Sequence, residues 1–218
     1  GGLALELESA AGREEAAPKV DLTLDTSKAY NWLRFSGYLS WAGYLIETIR
    51  HAIGGPDFDS QKSPLVVDLG GGSGWMSLLL KAHLGKDCEV MCTDISAEAL
   101  EMASADAHSN GLDISVECGD LFEPLESSGR KADFIFFNPP QVVDVPDTWK
   151  GSPDVALLAP PGEASFFHAR FCREAPMNPN GVAWLGVNYE LLEEVVAYCC
   201  DEGWAISVPA AVRDLTTA

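Results

Sequence analysis

Short apolar runs alternate along this chain with segments whose residues favour helix. The runs are too short for helices and are rich in β-branched or aromatic residues, which is typical of strands covered on both faces. They occupy 65–69, 89–94, 114–120, 134–137 and 182–187, and a further run starts at 204. The helical segments lie between them, at 75–80, 96–108, 165–175 and 189–202. This alternation predicts an α/β fold with a mostly parallel central sheet and helices on both faces.

The first 53 residues have a different character. Residues 1–25 are acidic and rich in Ala, Glu and Gly, and they lack the basic start and apolar centre of a secretory signal. From 26 onward, large apolar residues recur at helical spacing until the chain reaches Gly54, Gly55 and Pro56. We therefore expect a flexible acidic leader at 1–25 and a single domain at 26–218, which opens with an N-terminal helix over 26–53.

A glycine-rich loop follows the first apolar run. Gly70, Gly72 and Gly74 stand at alternate positions, where they permit positive φ angles and let a ligand approach the backbone. A predicted helix starts directly after them, so its free amide groups point back toward the loop. The loop fits neither G-x-G-x-x-G nor the triphosphate motif G-x-x-x-x-G-K-[ST]. Asp68 at its entrance suits a cation better than a phosphate.

Acidic residues close the next two strands, and they form an ordered set with the glycine loop. Asp94 ends the second run and Asp120 ends the third. From about residue 65 to the C-terminus, this set resembles the class I S-adenosylmethionine-dependent methyltransferases, which have a Rossmann-like fold. The resemblance implies S-adenosylmethionine as cofactor, with Asp94 on the ribose hydroxyls, Asp120 on the adenine amino group and either Leu121 or Phe122 packed on the ring. The cofactor-binding set that it implies is Asp68, Gly70, Gly72, Gly74, Asp94, Ile95, Asp120, Leu121 and Asn138.

The fourth run ends in a motif of four residues, Asn138-Pro139-Pro140-Gln141. Two successive prolines stiffen the turn and keep the asparagine out of the helical region. The resemblance implies that all four residues are catalytic, because Asn-Pro-Pro-[Tyr/Phe/Trp] is the signature of methyltransferases that act on a nitrogen attached to a planar group. The chain departs from that signature at Gln141, where an aromatic residue normally stacks on the substrate. A base substrate would lose about 1–3 kcal/mol of stacking there, which disfavours a base more than a small amide.

Charge and cysteine content narrow the partners and the compartment. The net charge is −19, with 14 Lys and Arg against 33 Asp and Glu, so the chain lacks the basic footprint of a nucleic-acid binder. The six cysteines form no C-x-x-C pair and have no histidine at metal-ligand spacing. We therefore expect no metal and a reducing intracellular compartment, with the cytoplasm as the expected location. No run of 18 apolar residues exists, so no membrane span is expected.

Three functions remain open. The leading hypothesis is an enzyme that methylates a planar amide or amino nitrogen, with a glutamine of a protein substrate as acceptor. It rests on the Asn-Pro-Pro core and on 152–158, Ser-Pro-Asp-Val-Ala-Leu-Leu, which resemble the release-factor glutamine methyltransferases. The second hypothesis is N6-adenine methylation of RNA or DNA. The third is a non-catalytic component of a larger assembly with a partner subunit.

Overall fold

The computed structural model describes residues 2–5, 20–23, 37–55, 62–143 and 158–206. The chain divides into two compact units. The first comprises Gly1–Asn138 and Pro176–Trp184, and the second comprises Pro139–Ala175 and Leu185–Ala218. The boundary between the units thus falls inside the Asn-Pro-Pro-Gln motif. The single domain that the sequence indicates over 26–218 stays a prediction.

The N-terminal part contains a strand pair and a helix. β1 (Gly2–Leu5) and β2 (Val20–Thr23) pair antiparallel inside the segment that was expected to be a flexible leader. The two strands are short runs that contain apolar residues, Gly-Leu-Ala-Leu and Val-Asp-Leu-Thr. The prediction missed them because it rested on the acidic composition of the whole segment. α1 (Gly37–Ile53) confirms the later part of the predicted N-terminal helix. The beginning of that predicted helix, 26–36, lies outside the described residues.

A five-stranded sheet forms the centre of the first unit. β3 pairs in parallel with both β4 and β6, and β4 pairs in parallel with β5. The predicted α/β fold with a mostly parallel sheet is therefore confirmed. The strands are β3 (Leu65–Leu69), β4 (Glu89–Asp94), β5 (Ser115–Cys118), β6 (Ala132–Phe137) and β7 (Met177–Leu185), in the spatial order β5-β4-β3-β6-β7.

Helices connect the strands and share their core. α2 (Trp75–Leu84), α3 (Ala97–Ser109) and α4 (Glu123–Ser128) lie between successive strands, and a short 3-10 turn at Gly85–Asp87 follows α2. Ile49 of α1, Val66 of β3 and Leu79 of α2 belong to one buried apolar cluster. Full burial of such a side chain contributes about 1.5–3 kcal/mol. All five residues of β3 are buried, which explains the apolar run that marks this strand in the sequence.

The last strand starts earlier than the sequence predicted. A strand was expected at 182–187, but β7 already begins at Met177. Asn178 accounts for the difference, because its Nδ2 donates a hydrogen bond to Asp133 Oδ1 at 2.8 Å and so fastens this segment beside β6. Trp184 then stacks on Phe134 of β6, with 6.1 Å between the ring centroids. Tertiary contacts thus extend the strand into residues that favour a turn.

Helices α5 (Phe166–Glu174) and α6 (Leu192–Asp201) form the described helical part of the second unit, with a 3-10 turn at Tyr189–Leu191 before α6. The Sγ atoms of Cys172 and Cys199 lie 2.8 Å apart, and both are free thiols. Trp204 donates Nε1–H to the Cys172 carbonyl at 2.8 Å, so it folds back on α5 and 204–206 do not form the strand expected to start there. In the described part of the chain, no helix combines the length and apolar character that a membrane span requires.

Candidate active site

Four strand ends of the first unit meet at one edge of the sheet. Strands β3 to β6 are parallel neighbours, so their carboxyl ends share that edge. The register aligns Leu69 at the end of β3 with Thr93 of β4 and Phe137 of β6. It also aligns Asp94 with Cys118 at the end of β5. The segments that leave these strands carry the predicted residues Gly70, Gly72, Gly74, Asp94, Ile95, Asp120, Leu121 and Asn138.

The glycine loop has the backbone shape that its sequence predicts. Gly70, Gly72 and Gly74 have φ angles of 64°, 56° and 75°, in the region that favours glycine. A Cβ on Gly74 would lie 2.6 Å from the Cβ of Ala103, so the end of the loop packs tightly against α3. A Cβ on Gly72 would meet no atom within 4 Å. The middle of the loop is therefore an open cradle that a ligand can approach.

Backbone amides hold both carboxylate oxygens of Asp94. Gly72 donates its N–H to Oδ2 at 2.9 Å, and Ser96 donates its N–H to Oδ1 at 2.8 Å. Each carboxylate oxygen has two acceptor positions, so each retains one for a ligand. The carboxylate is thus oriented in advance and is able to accept bonds from two neighbouring hydroxyl groups. Ile95, the next residue, is 75% exposed and offers an apolar surface.

Asp68 fastens the start of α2. Its side chain is 2% exposed, and its Oδ2 accepts hydrogen bonds from the N–H of Ser77 at 3.0 Å and from the Ser77 hydroxyl at 2.7 Å. It therefore satisfies an amide in the first turn of a helix whose N-cap, Gly74, has no side chain. Burial raises the pKa of Asp68 to about 7, with a smaller upward contribution from Asp94, although the Ser77 bonds act in the opposite direction. Its role as a cofactor contact stays a prediction.

The segment after β5 is held in an unusual conformation. The Gly119 N–H donates to the Asp94 carbonyl at 3.1 Å, and the Asp120 N–H donates to Glu123 Oε2 at 2.9 Å. Leu121 has φ 46°, which costs a leucine about 1–2 kcal/mol. Phe122 is only 2% exposed and belongs to the core, so Leu121, which is partly exposed, is the apolar side chain available at this strand end.

The Asn-Pro-Pro-Gln motif is divided between the two units. Asn138 directly follows β6 in the first unit, while Pro139, Pro140 and Gln141 belong to the second. In the second unit, Gln141 Oε1 accepts a hydrogen bond from the N–H of Asn188 at 2.6 Å. The structure therefore brings Asn138 to the same sheet edge as the glycine loop and Asp94, and it gives the Gln141 side chain a partner of its own.

Sequence reasoning missed three residues of this region. Ser77 is the lone polar residue in the apolar start of α2, and Gly71 lies inside an unbroken glycine run, so both had a visible signal. A Cβ on Gly71 would lie 2.7 Å from Asp68 Oδ2, and only glycine fits there. Asn188 gave no signal, because it lies 47 residues from Gln141 along the chain.

Gly72 in the middle of the glycine loop and Gly74 at its end make a matched pair for mutation. Gly74→Ala combines an unfavourable φ with the contact to Ala103, so we expect the free energy of unfolding to fall by about 2–4 kcal/mol. Gly72→Ala meets open space, and only the backbone strain of about 1–2 kcal/mol remains. Urea unfolding of both variants measures the difference, and equal losses would contradict the packing described for Gly74.

The raised pKa of Asp68 predicts a pH dependence of stability. The folded-state pKa of about 7 lies above the ordinary 3.8, so the folded protein binds a proton that the unfolded chain releases. The stabilisation is complete below about pH 4 and is lost as the pH rises to about 7, by at most about 4 kcal/mol. Asp68→Asn removes this titration. We expect the unfolding free energy of the wild type to decline relative to that of the variant across this range, whereas parallel pH profiles would refute the assignment.

Comparison with known proteins agrees with this fold. The methyltransferase small domain family matches residues 55–150. A release factor glutamine methyltransferase from Bacillus subtilis (strain 168) is 31% identical over 155 residues, which cover 69% of this chain and 48% of the relative. The chain thus spans about half the length of this relative. A ribosomal RNA small subunit methyltransferase C from Alcanivorax borkumensis is 30% identical over 128 residues, which cover 58% of this chain and 33% of that relative.

A solved structure shows the same fold. It comes from Streptococcus mutans, is assigned to the SAM-dependent methyltransferases, and superposes with a TM-score of 0.51 at 13% identity over 78% of this chain and 41% of its own. At that identity the likeness concerns the fold alone. The chain therefore has the fold of the class I methyltransferases, its residues 55–150 match the methyltransferase small domain family, and its sequence is similar to the release factor glutamine methyltransferases.

Proposed function

We propose that the chain transfers a methyl group from S-adenosylmethionine to a planar nitrogen, and that the acceptor is the side-chain amide of a protein glutamine. One observation carries the proposal. Asn138 leaves β6 at the sheet edge where the open cradle around Gly72 and the oriented carboxylate of Asp94 also lie. The groups proposed to hold the cofactor and the amide proposed to bind the acceptor nitrogen thus leave neighbouring strands of the first unit at the same edge.

The residues present fit S-adenosylmethionine. The space beside Gly72 admits a ligand close to the backbone, and the two remaining acceptor positions of Asp94 suit the paired hydroxyls of a ribose. The exposed side chain of Ile95 and the partly exposed Leu121 supply apolar surface for the adenine, and Asp120 supplies an acceptor for its amino group. When bound, the cofactor supplies an electrophilic methyl group on a sulfonium.

The proposed chemistry at Asn138 follows from the electronic structure of an amide. An amide nitrogen is a weak nucleophile because its lone pair is delocalised into the carbonyl group. If the Asn138 side-chain oxygen and the Pro139 carbonyl accept its two N–H bonds, they orient the nitrogen and stabilise the positive charge that develops on it. The nitrogen becomes acidic as its bond to carbon forms, so its proton leaves to solvent without a strong general base.

A protein acceptor is favoured by charge and by the related sequences. The net charge of −19 repels a polyanionic substrate, and neutralising phosphates with Lys and Arg is the main source of nucleic-acid affinity. The relative from Bacillus subtilis is named as a release factor glutamine methyltransferase. The six free thiols support the expectation of a reducing intracellular compartment.

RNA is the second candidate acceptor, because one relative is named as a ribosomal RNA methyltransferase. A basic partner subunit would have to supply the phosphate contacts that this acidic chain lacks. The third hypothesis, a non-catalytic component of an assembly, stays a prediction. Incubation with labelled S-adenosylmethionine and separate protein and RNA fractions distinguishes the three, since label enters protein, enters RNA or enters neither.

Replacing Asn138 tests the proposed chemistry. Asn138→Ala removes one of the two acceptors on the reacting nitrogen, so we expect methyl transfer to fall about 10²- to 10³-fold. Affinity for S-adenosylhomocysteine, measured by calorimetry, should fall far less than transfer, because the other residues of the expected cofactor-binding set remain. Asn110→Ala is the matched control. Asn110 caps the C-terminus of α3, where its Nδ2 donates to the Asp106 carbonyl, and it is distant in sequence from the Asn-Pro-Pro-Gln motif. An unchanged transfer rate in Asn138→Ala would refute the role given to this residue.

Replacing Asp94 tests the proposed cofactor site. Asp94→Ala removes two charge-assisted acceptors for the ribose hydroxyls, and we expect affinity for S-adenosylhomocysteine to fall about 10- to 100-fold. Asp113→Ala is the control, since Asp113 is an exposed carboxylate in the loop between α3 and β5. Calorimetry on folded samples of both variants gives the comparison. Equal affinities would place the ribose elsewhere.

A further inference from the structure

The second unit contains two thiols on neighbouring helices whose sulfur atoms are in contact. Cys172 lies in the last turn of α5 and Cys199 in the last turn of α6, and their Sγ atoms are 2.8 Å apart. The two residues are separated by 27 positions in the sequence. A disulfide bond is about 2.0 Å long, so the two sulfur atoms need to approach by only about 0.8 Å to form one.

Trp204 fastens the backbones of both cysteines. Its backbone N–H donates to the Cys199 carbonyl at 2.8 Å, and its indole Nε1–H donates to the Cys172 carbonyl at 2.8 Å. Its ring also packs near Phe171, with 5.7 Å between the ring centroids. One residue thus joins the last turns of α5 and α6 at the two positions that carry the thiols, and it keeps the thiols together.

The two thiols have different environments. Cys172 is 5% exposed, whereas Cys199 is half-buried. A hydrogen bond from the Cys172 thiol lowers the pKa of Cys199, although burial acts in the opposite direction. The same bond raises the pKa of Cys172, and burial raises it further. Because the thiolate is the nucleophile in thiol chemistry, Cys199 is prepared to react first and Cys172 second.

A shared metal ion fits the contact less well than a covalent bond. Two thiolates bound to one tetrahedral zinc, at about 2.3 Å each, lie about 3.8 Å apart. The observed separation of 2.8 Å is much shorter. In the part of the chain that the structure describes, no group of three or more His, Cys, Asp and Glu residues could hold a metal ion.

We propose that Cys172 and Cys199 form a redox modification site, at which hydrogen peroxide converts the two thiols into a disulfide that joins α5 to α6. A reducing compartment keeps the pair as thiols, and an oxidative challenge closes the bond. The site lies wholly within the second unit, and it does not depend on the proposed methyl transfer.

The reaction consumes one peroxide and releases two waters. The Cys199 thiolate attacks one peroxide oxygen, the O–O bond breaks, and the departing hydroxide takes up a proton to give the first water. Cys199 is then a sulfenic acid. The Cys172 sulfur attacks the Cys199 sulfur, the S–S bond forms and the S–O bond breaks. The hydroxyl group leaves with the Cys172 proton as the second water, so the two thiols together lose two electrons to the peroxide.

Mass spectrometry of the full chain after brief exposure to hydrogen peroxide tests the proposal. The remaining thiols are blocked with iodoacetamide. We expect four of the six cysteines to be alkylated and Cys172 to be bonded to Cys199, and we expect dithiothreitol to reverse the bond. Alkylation of all six cysteines, or bonds only between different chains, would overturn the proposal.

Cys200 provides the matched control, because it is an exposed thiol next to Cys199 on the same helix. Cys200→Ser should form the intramolecular disulfide as the wild type does, whereas Cys199→Ser should not form it. A bond that survives in Cys199→Ser and disappears in Cys200→Ser would contradict the assignment.

Cys172→Ser tests the order of the two steps. Peroxide should leave Cys199 as a sulfenic acid that dimedone labels, because no second thiol remains to displace the hydroxyl group. In the wild type, disulfide formation should largely prevent this label. Equal labelling of Cys199 in both proteins, or no labelling of Cys199 in the variant, would refute the proposed order.

Thermal unfolding measures the effect of the bond. The disulfide closes a loop between residues 27 positions apart, so we expect oxidation to raise the Tm by about 5–10 °C. Cys200→Ser should show the same rise on oxidation and Cys199→Ser should show none. An oxidised wild type whose Tm is unchanged or lower would overturn the claim that the two thiols are held ready to bond. None of these measurements involves methyl transfer, so this inference and the proposed function fail independently.

Discussion

The parallel pairing of β3 with its two neighbours is the constraint on which the candidate site depends. Parallel strands end at the same edge, so β4 delivers Asp94 and β6 delivers Asn138 on either side of the glycine loop that leaves β3. None of these residues is close to the others in sequence. An antiparallel neighbour on either side would move either Asp94 or Asn138 to the opposite edge and separate the proposed cofactor-binding carboxylate from the proposed acceptor-binding amide.

Polar contacts then give that edge its shape. Gly72 and Ser96 hold the Asp94 carboxylate, and Asp68 holds the first turn of α2 through Ser77. These bonds fasten the loop to β4 and the helix to β3, while the middle of the loop stays open. Burial of Asp68 raises its pKa, which couples the stability of this framework to its protonation near neutral pH. The site is therefore preorganised mainly by backbone amides and one buried carboxyl group.

Local patterns predicted the parts of the structure that local sequence determines. The apolar run of β3, the positive φ angles of the glycines and the helix after them follow from residue type and spacing, and all three are present. Contacts between distant segments decided the rest. Asn178 extends β7 by bonding Asp133, and Gln141 reaches Asn188; in neither case does the spacing of residues reveal the partner. The strand pair inside the acidic N-terminal segment likewise depends on pairing between runs that are 15 residues apart.

A crystal structure of the chain with S-adenosylhomocysteine tests the central claim most directly. The account predicts that the ligand lies across the carboxyl ends of β3 and β4. Its ribose hydroxyls should contact Asp94, the ligand should approach the protein backbone at Gly72, and its sulfur should face Asn138. A ligand bound at the opposite edge of the sheet, or one whose ribose does not contact Asp94, would contradict it.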